Sequence, residues 1–208
     1  MTKKTNLIPR TLVAVAIASA GLALAACTTT VPQSQQTSAE KRADTDQRAD
    51  AALKRLYEVA PNSRELVSQS KGVLIFPRVL GGSFIVGAEH GEGVLKVGGQ
   101  NRGYFTTTSG SIGLQAGAQS KAIIFVFKTQ DALDKFLASN GWTAGVDATV
   151  AVANVSATGA VDLNTLNEPV VGFVMTNAGL AAGVSLEGTK VEPLDERGSA
   201  PIQDGSAN

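Results

Sequence analysis

The most regular pattern of apolar and polar positions in the chain lies in residues 111–127. In its first half, apolar side chains occupy every second position, at Ile112, Leu114, Ala116 and Ala118. This is the period of a strand that is covered on one face. From residue 122 to residue 127 every side chain is apolar, which is typical of a strand buried on both faces. The pattern therefore predicts a single strand over 111–127 in the middle of a sheet.

Three helices are predicted around this strand. Residues 40–60 carry apolar side chains at steps of three and four and end before Pro61, which favours an amphipathic helix. Asn62 followed by Glu65 has the spacing of a capping box and predicts a short second helix. Thr129 is the expected cap of a third helix, whose buried face would consist of Ala132, Leu133, Phe136 and Leu137.

Short apolar runs separated by turn residues predict the remaining strands. They are 72–76, 83–88, 94–97, 102–107, 146–155, 170–176 and 180–186. Residues 91–93 (Gly-Glu-Gly) have the composition of a tight turn. Because helices precede the strands or are inserted among them without strict βαβ alternation, the expected fold class is α+β. We expect a curved, largely antiparallel, glycine-rich sheet that can curl towards a barrel, with N-terminal helices and one helix inserted between strands.

The glycines are concentrated in the predicted strands. Twelve of the 22 glycines lie between Gly72 and Gly117, and residues 72–127 contain only six charged side chains. A segment so poor in charge is expected to be buried or to face something apolar. Glycine weakens a strand unless a close approach requires it. Gly87, Gly113 and Gly117 therefore indicate either crowding in a strongly curved sheet or a ligand that lies against bare backbone.

The N-terminus has the three parts of a bacterial export signal. Basic residues at Lys3, Lys4 and Arg10 precede an apolar run over 12–26, which is shorter than the ~20 residues of a membrane span. The run ends in Leu-Ala-Ala-Cys, which looks like a lipobox. Residues 1–26 are thus predicted to be a signal peptide and Cys27 the diacylated first residue of the mature protein, anchored without spanning the membrane. The alternative is an ordinary signal peptide with an incidental cysteine.

The segments on either side of the predicted domain have no period. Residues 27–39 are polar and are predicted to be a flexible tether, and residues 192–208 a disordered tail. The domain is expected over 40–191. Thr28 follows the cysteine at the position where bacterial sorting usually needs Asp for retention in the inner membrane. We therefore expect the protein in the outer membrane, facing the periplasm.

Charge and the scarce reactive residues argue against several classes of function. The mature chain has 15 basic and 18 acidic residues, a net charge of −3, which does not suggest nucleic-acid binding. His90 is the only histidine and Cys27 the only cysteine, which excludes metal sites built from several histidines and an intramolecular disulfide. No phosphate-binding loop or nucleophile elbow occurs. Neither a cofactor nor catalysis is expected.

Two sets of polar residues leave alternatives open. Glu89, His90 and Glu92 are predicted to form an exposed hairpin end, with a metal site as the less favoured interpretation. A hydrolase with two facing carboxylates stays a third hypothesis, with the candidates Asp147, Asp162 and Glu168.

Basic residues share one side of the first helix. Lys41, Arg48 and Arg55 repeat every seven residues and could contact phospholipid headgroups. The favoured interpretation is a solvated face, because residues 40–58 hold five basic and five acidic side chains.

Three segments in order resemble the SYLF-domain family. They are KGVLIFPRVLGGSFIVGAEHGEGVL at 71–95, SIGLQAGAQSKAIIFVF leading into TQDALDKF at 111–136, and AGLAAGVSLEG at 178–188. The resemblance covers about residues 51–191, and with the lipobox the chain resembles the bacterial lipoprotein branch of that family. It implies binding of lipid, of the phosphatidylinositol type in the family, through a basic amphipathic N-terminal helix. Here that role falls to Arg48, Lys54 and Arg55, although the helix is diluted by Asp44, Asp46 and Asp50.

The leading hypothesis is accordingly a non-catalytic, periplasm-facing lipoprotein that binds membrane lipid. The second is a structural envelope lipoprotein that binds another protein through sheet edges or an exposed apolar patch. Actin binding, which the resemblance associates with yeast-type members, is not expected in a bacterial envelope.

Overall fold

The all-apolar pattern of residues 122–127 corresponds to a strand that is buried on both faces. Ile123, Phe125 and Phe127 belong to one apolar cluster, whereas Ile124 and Val126 belong to another, and all five are fully buried. Because each face of this strand is covered by its own layer, the usual alternation of apolar and polar residues disappears. The prediction of a central buried strand is confirmed for this part of the pattern.

A computed structural model describes residues 37–82, 86–112, 119–153, 167–181 and 183–194. The helices are α1 (Ser38–Val59), α2 (Ser63–Gln69) and α3 (Gln130–Ala138). The strands are β1 (Gly72–Gly82), β2 (Val86–Val97), β3 (Gln100–Ile112), β4 (Gln119–Phe127), β5 (Trp142–Thr143), β6 (Val150–Val152), β7 (Val170–Thr176), β8 (Gly179–Leu180) and β9 (Lys190–Pro193).

These strands form one sheet in the order β5-β9-β3-β2-β1-β4-β7-β6, with β8 paired to β7. Neighbouring strands are antiparallel except for β6 and β7, which run parallel. The sheet curls into a half-barrel. The predicted α+β class, with a curved and largely antiparallel sheet and one helix inserted between strands, is confirmed.

One face of the sheet, here called the α3 face, is filled by aromatic rings. The ring of Phe125 contacts Phe76 and Trp142 edge-on, with centroids 6.4 Å and 5.5 Å away. Phe136 of α3 lies 5.0 Å from Phe127, again measured between ring centroids. Such pairs add about 0.5–1.5 kcal/mol each beyond the area that they bury. The α3 face is therefore a packed core around these rings.

The opposite face, here called the α1 face, is covered by small side chains of the first helix. Ala49, Ala52 and Leu56 are buried in the same cluster as the sheet residues Ile75 and Phe173. Alanines on the inner side of α1 permit a close approach of the helix to the strands. The predicted amphipathic helix is confirmed. Its narrow apolar side packs against the sheet.

Two strands are longer than their sequence patterns indicate. The predicted strand 72–76 continues through Pro77 to Gly82, because a register shift between Phe76 and Val79 accommodates the proline. The predicted turn at 91–93 is wrong, since β2 passes through these residues without interruption. The prediction that Glu89, His90 and Glu92 form a hairpin end is therefore also wrong, because all three lie within β2.

The central pattern is divided between two strands. Ser111 and Ile112 end β3, and β4 begins at Gln119, so a single strand over 111–127 is wrong. Residues 113–118 lie outside the described residues. The alternation of residues 112–118 gives no sign of this division, because in the sequence it continues without a break past the end of β3.

The helix ends follow the sequence in part. The Thr129 hydroxyl accepts a hydrogen bond from the Ala132 amide at 3.3 Å, which confirms the cap of α3. Asn62 precedes α2 but makes no side-chain capping bond, so the predicted capping box is wrong. Leu137 is 50% exposed because it lies at the margin of the apolar stripe of α3, and its predicted burial is wrong.

The C-terminal part contains shorter strands than predicted and one additional strand. Strand 170–176 is confirmed, whereas 146–155 and 180–186 are reduced to β6 and β8. Strand β9 was not predicted; it pairs with β3 and reaches Pro193, two residues into the predicted tail. Residues 195–208 lie outside the described part of the chain.

Candidate functional site

Helix α1, which was predicted to carry the lipid-binding residues, begins with a capping box. The Thr37 amide donates to Glu40 Oε2 at 2.7 Å, and the Glu40 amide donates to Thr37 Oγ1 at 3.3 Å. The bond from the Thr37 amide, with a second from its hydroxyl, lowers the pKa of Glu40. Glu40 is therefore engaged at the helix start. None of the described helices, α1 included, is long and apolar enough to cross a bilayer.

Two further acids of α1 are bonded to the sheet. The Tyr104 hydroxyl of β3 donates to Asp46 Oδ2 at 2.9 Å, and Lys96 of β2 forms an ion pair with Asp50. The guanidinium of Arg42 lies 5.2 Å from the centre of the Tyr104 ring. Burial raises the pKa of the Tyr104 hydroxyl, and the Asp46 carboxylate raises it further. These contacts join α1 to β2 and β3 along one side of the helix.

The three residues predicted to bind lipid have different surroundings. Arg48 Nε donates to Asp44 Oδ2 at 2.6 Å, one turn away on α1. Arg55 Nη2 donates to the carbonyl oxygens of residues 176 and 177 at 2.6 Å and 2.9 Å and so holds the turn between β7 and β8. Lys54 is exposed. Two of the three cations thus contact other parts of the protein, and lipid contact stays a prediction for all three.

Replacing Tyr104 by phenylalanine is expected to lower the free energy of unfolding by about 1.5 kcal/mol at pH 7, the lower end of the range for a hydrogen bond to a charged group. The raised pKa means that the folded state holds the tyrosine proton more tightly than the unfolded state. Its contribution is therefore fully present below the unfolded-state pKa of about 10 and is lost as the pH rises through the folded-state value. Urea denaturation of both proteins at neutral and alkaline pH should show the difference shrinking above about pH 10.

Tyr57 provides the matched control for this substitution. Its ring lies 4.3 Å from the guanidinium of Arg64, a contact that phenylalanine keeps. Tyr57→Phe is expected to change stability at pH 7 by less than about 0.5 kcal/mol. Equal effects of the two substitutions at pH 7 would contradict a specific role of the Tyr104–Asp46 bond.

A second polar cluster crosses four strands and consists of Glu89 on β2, Ser109 on β3 and Lys121 on β4; we call it the β2–β4 cluster. Lys121 Nζ lies 2.7 Å from Glu89 Oε2, and the Ser109 hydroxyl donates to the same oxygen at 2.9 Å. β1 runs between β2 and β4, and its Gly81 stands opposite Glu89. A Cβ at Gly81 would lie 2.9 Å from Glu89 Cγ. The missing side chain therefore lets Glu89 reach across β1 to Lys121.

The sequence contained a signal for this cluster, although not its geometry. Glu89 and Lys121 are two of the six charged residues in 72–127. A charge in so apolar a segment needs a partner. The partner became identifiable only through the register, which brings β2 and β4 to the two sides of β1.

Neighbouring side chains occupy the space beside several strand glycines. An added Cβ would lie closer than 3.0 Å to a neighbouring side chain at three of these positions. The neighbour is Val79 for Gly91, Phe76 for Gly93 and Leu186 for Gly172. At these positions glycine is required by crowding in the sheet. The contacts of Gly87, Gly113 and Gly117 lie outside what the structure describes.

The other candidate chemistry is dispersed. His90 is exposed within β2, between Leu80 on β1 and Thr108 on β3. In the part of the chain that the structure describes, no group of three or more His, Cys, Asp or Glu residues could hold a metal ion. The Asp147 carboxylate accepts a hydrogen bond from the Thr143 amide at 2.6 Å, and Asp162 lies outside the described residues.

A model of a known protein family matches part of the chain. The family model described as Ysc84, Las17-binding protein actin regulator, matches residues 108–199. The matched segment begins near the end of β3 and includes β4, α3 and the later strands to β9. Helix α1 and strands β1 and β2 precede it. The matched family is one of binding and adaptor proteins. No curated protein matches the chain.

Proposed function

Because residues 108–199 belong to the SYLF (Ysc84) family, we propose that this protein is a non-catalytic module that binds a membrane surface through the outward side of α1. The proposed ligand is an anionic phospholipid headgroup, of the phosphoinositide type in relatives that the sequence resembles. The family supports binding of lipid or protein in general. The choice of lipid rests on the charges of α1.

The main support for the proposal is that several acids of α1 are bonded within the protein, whereas two of its lysines are exposed. Asp46 and Asp50 are bonded to the sheet, and Glu40 is bonded within the helix cap. Lys41 and Lys54 are exposed, and neither forms an ion pair with a residue that the structure describes. A lysine near an anionic membrane surface contributes about 1 kcal/mol of attraction. Although the helix has no net charge, its unengaged lysines thus remain accessible to phosphate groups.

We also propose that acylated Cys27 holds this module at the periplasmic side of the outer membrane. Two acyl chains give stable anchoring. The lipobox sequence that ends at Cys27 supports the anchor, Thr28 supports the outer membrane as its location, and the residues between Cys27 and the cap of α1 at Thr37 would be the tether. A surface with modest headgroup affinity suits such a protein, because the anchor already keeps it at the membrane.

Flotation with lipid vesicles tests the headgroup contact. The chain from Thr28 onward retains the whole compact unit Gln36–Asn208 but lacks the anchor. It is expected to float with vesicles that contain phosphatidylglycerol and to stay behind with vesicles of phosphatidylcholine alone. The double variant Lys41→Gln/Lys54→Gln should bind at least about tenfold more weakly, because two attractions of about 1 kcal/mol each are lost.

Lys135→Gln is the matched control for this measurement. Lys135 is an exposed lysine on α3, and its ammonium lies 2.9 Å from Asp131 Oδ2. The variant removes one positive charge far along the chain from α1 and should leave flotation unchanged. Glu58→Gln, which removes an exposed acid of α1, should strengthen binding. Equal recovery with neutral and anionic vesicles would contradict the proposal.

The second candidate function is an envelope lipoprotein that binds another protein. An uncovered part of the sheet favours it, since Leu80 is 45% exposed and its cross-strand neighbour His90 is exposed as well. The matched family is described by a protein-binding activity, but actin is not the partner that we propose for a bacterial envelope. Recovery of one stoichiometric envelope protein, with no flotation on anionic vesicles, would favour this candidate.

A further inference from the structure

The β2–β4 cluster has hydrogen-bonding capacity that the protein does not use. Both bonds to the Glu89 carboxylate end on Oε2, and Oε1 accepts none from any residue that the structure describes. Lys121 has three N–H donors and directs one of them at Glu89. The two side chains are 14% and 23% exposed, so neither is sealed in the core. An acceptor and two donors thus remain next to each other at a partly desolvated position.

The position of the cluster allows a small molecule to reach it. Strand β9 covers the edge of β3 from Phe105 to Thr108, where the pairing with Lys190 ends. Ser109 is the next residue of β3 and lies beyond that cover. Beside the cluster, Gly81 presents backbone without a side chain. No described strand pairs with β3 beyond Thr108 on that edge, and the side chains of Glu89 and Lys121 remain partly exposed to solvent.

The charges of the cluster define the kind of ligand. One carboxylate and one ammonium in contact carry no net charge, so the cluster offers little attraction for an ion of either sign. A neutral group with a donor and an acceptor on adjacent atoms matches the free Oε1 and the free N–H groups. Vicinal hydroxyls have this arrangement, because each hydroxyl both donates and accepts. Hydrogen bonds between a hydroxyl and the carboxylate or the ammonium would also be stronger than hydrogen bonds between neutral groups.

We propose that the β2–β4 cluster binds a polyol with vicinal hydroxyls, such as a saccharide ring. One hydroxyl donates to Glu89 Oε1 while its neighbour accepts from Lys121 Nζ, and Ser109 keeps the carboxylate in place through Oε2. The site is separate from the side of α1 that we propose for anionic headgroups. It therefore adds a recognition of hydroxyl-rich molecules, whether free saccharides or the sugar headgroups of glycolipids.

A titration with methyl glucoside tests the proposal. The full chain is purified from cells in a detergent without sugar groups and is followed by amide NMR. Saturable shifts are expected at Glu89, Ser109 and Lys121, with a dissociation constant of about 1–10 mM, as befits two or three hydrogen bonds. Lys121→Met should weaken binding at least about tenfold. Lys135→Met, in the exposed pair on α3, should not change it.

A second variant separates binding from folding. Lys121→Met leaves Glu89 without its counter-ion and destabilises the pair, whereas Glu89→Gln/Lys121→Gln replaces both charges by neutral amide groups. If this double variant keeps the wild-type melting temperature and binds methyl glucoside at least about fivefold more weakly, the proposal stands. Unchanged affinity in the double variant, or no saturable shift in the wild-type protein, would overturn it. Either result would mean that the ion pair of Glu89 and Lys121 has a structural role alone, the linking of β2 to β4.

Nanodiscs distinguish the two sources of the polyol. Glycosyl diacylglycerol and plain diacylglycerol are compared in otherwise identical bilayers. Saturation at the cluster by the glycosylated lipid at a lower concentration than by free methyl glucoside assigns the ligand to the membrane, whereas equal affinity for the two assigns it to soluble saccharides. Neither result depends on anionic lipid, so failure of the headgroup proposal for α1 and failure of this one are recognisable separately.

Discussion

Gly93→Ala is expected to lower the free energy of unfolding by about 3 kcal/mol, the upper part of the range for overpacking a well-packed core. The added methyl group would lie closer than 3.0 Å to the backbone oxygen of Ile75 and to the ring of Phe76. A side chain could rotate away, but the carbonyl of a neighbouring central strand cannot move without disturbing the sheet. Urea denaturation, followed by circular dichroism, measures the loss.

Gly110→Ala is the matched control for Gly93→Ala. Gly110 lies on β3, next to β2, and a Cβ there would meet nothing within 4 Å. Alanine in an open strand position should raise the free energy of unfolding by about 0.5 kcal/mol, because glycine loses more backbone freedom on folding. A loss of similar size at both positions would show that glycine content, and not crowding, limits the stability of the sheet.

The parts of the fold that could be predicted from sequence are those with a strong local period. Helix α1, strand β7 and the apolar half of β4 each bury a face whose spacing is visible within a few residues. Burial of that face determines the conformation in each case, so the neighbours in space need not be known. The cap of α3 by Thr129 is equally local, because it joins residues three apart.

The parts that could not be predicted depend on distant contacts. Gly91 and Gly93 have the composition of a turn, yet they remain in β2, which pairs with β1 on one side and with β3 on the other. They are glycines because Val79 and Phe76 of β1 occupy the space where side chains would be. Strand β9 is short and polar, and its pairing with β3 is what makes it a strand. In both cases the deciding neighbour is far away in sequence, which a periodic pattern cannot reveal.

The candidate sites show the same limit. The sequence places Asp46 and Asp50 among the cations of α1, where they dilute the positive charge. Their engagement by Tyr104 and Lys96 follows only from the packing of α1 on β2 and β3. A count of charges along a helix therefore underestimates how many cations stay accessible when the acids face a partner.

The sheet extends beyond the segment that the family model matches. Strand β4 lies within the matched residues 108–199, and β3 does so in part, yet these strands are separated in the sheet by β1 and β2. The strands before residue 108 thus complete the sheet of the matched segment. Helix α1 covers this joint sheet, so the proposed headgroup contact and the matched region belong to one packed structure.

Cys27→Ala is expected to abolish the attachment of the protein to the membrane. Each buried methylene contributes about 0.8 kcal/mol of membrane affinity, so two acyl chains far outweigh the few kcal/mol expected from the lysines of α1. The wild-type chain should incorporate labelled palmitate and sediment with outer membranes. When residues 1–26 are replaced by a secretory signal that needs no cysteine, the Cys27→Ala chain should be released from the periplasm by osmotic shock.

Thr28→Asp separates acylation from sorting in the same cells. It keeps Cys27, so palmitate should still be incorporated, but the protein should move to the inner-membrane fraction. Wild-type protein that is recovered free of acyl groups in the soluble fraction would contradict the anchor. Acylated protein whose distribution ignores Thr28→Asp would contradict only the proposed sorting. If the protein proved to carry no acyl groups, α1 alone would have to hold it at a membrane. The affinity of the unanchored chain for vesicles would decide in that case whether it can act there.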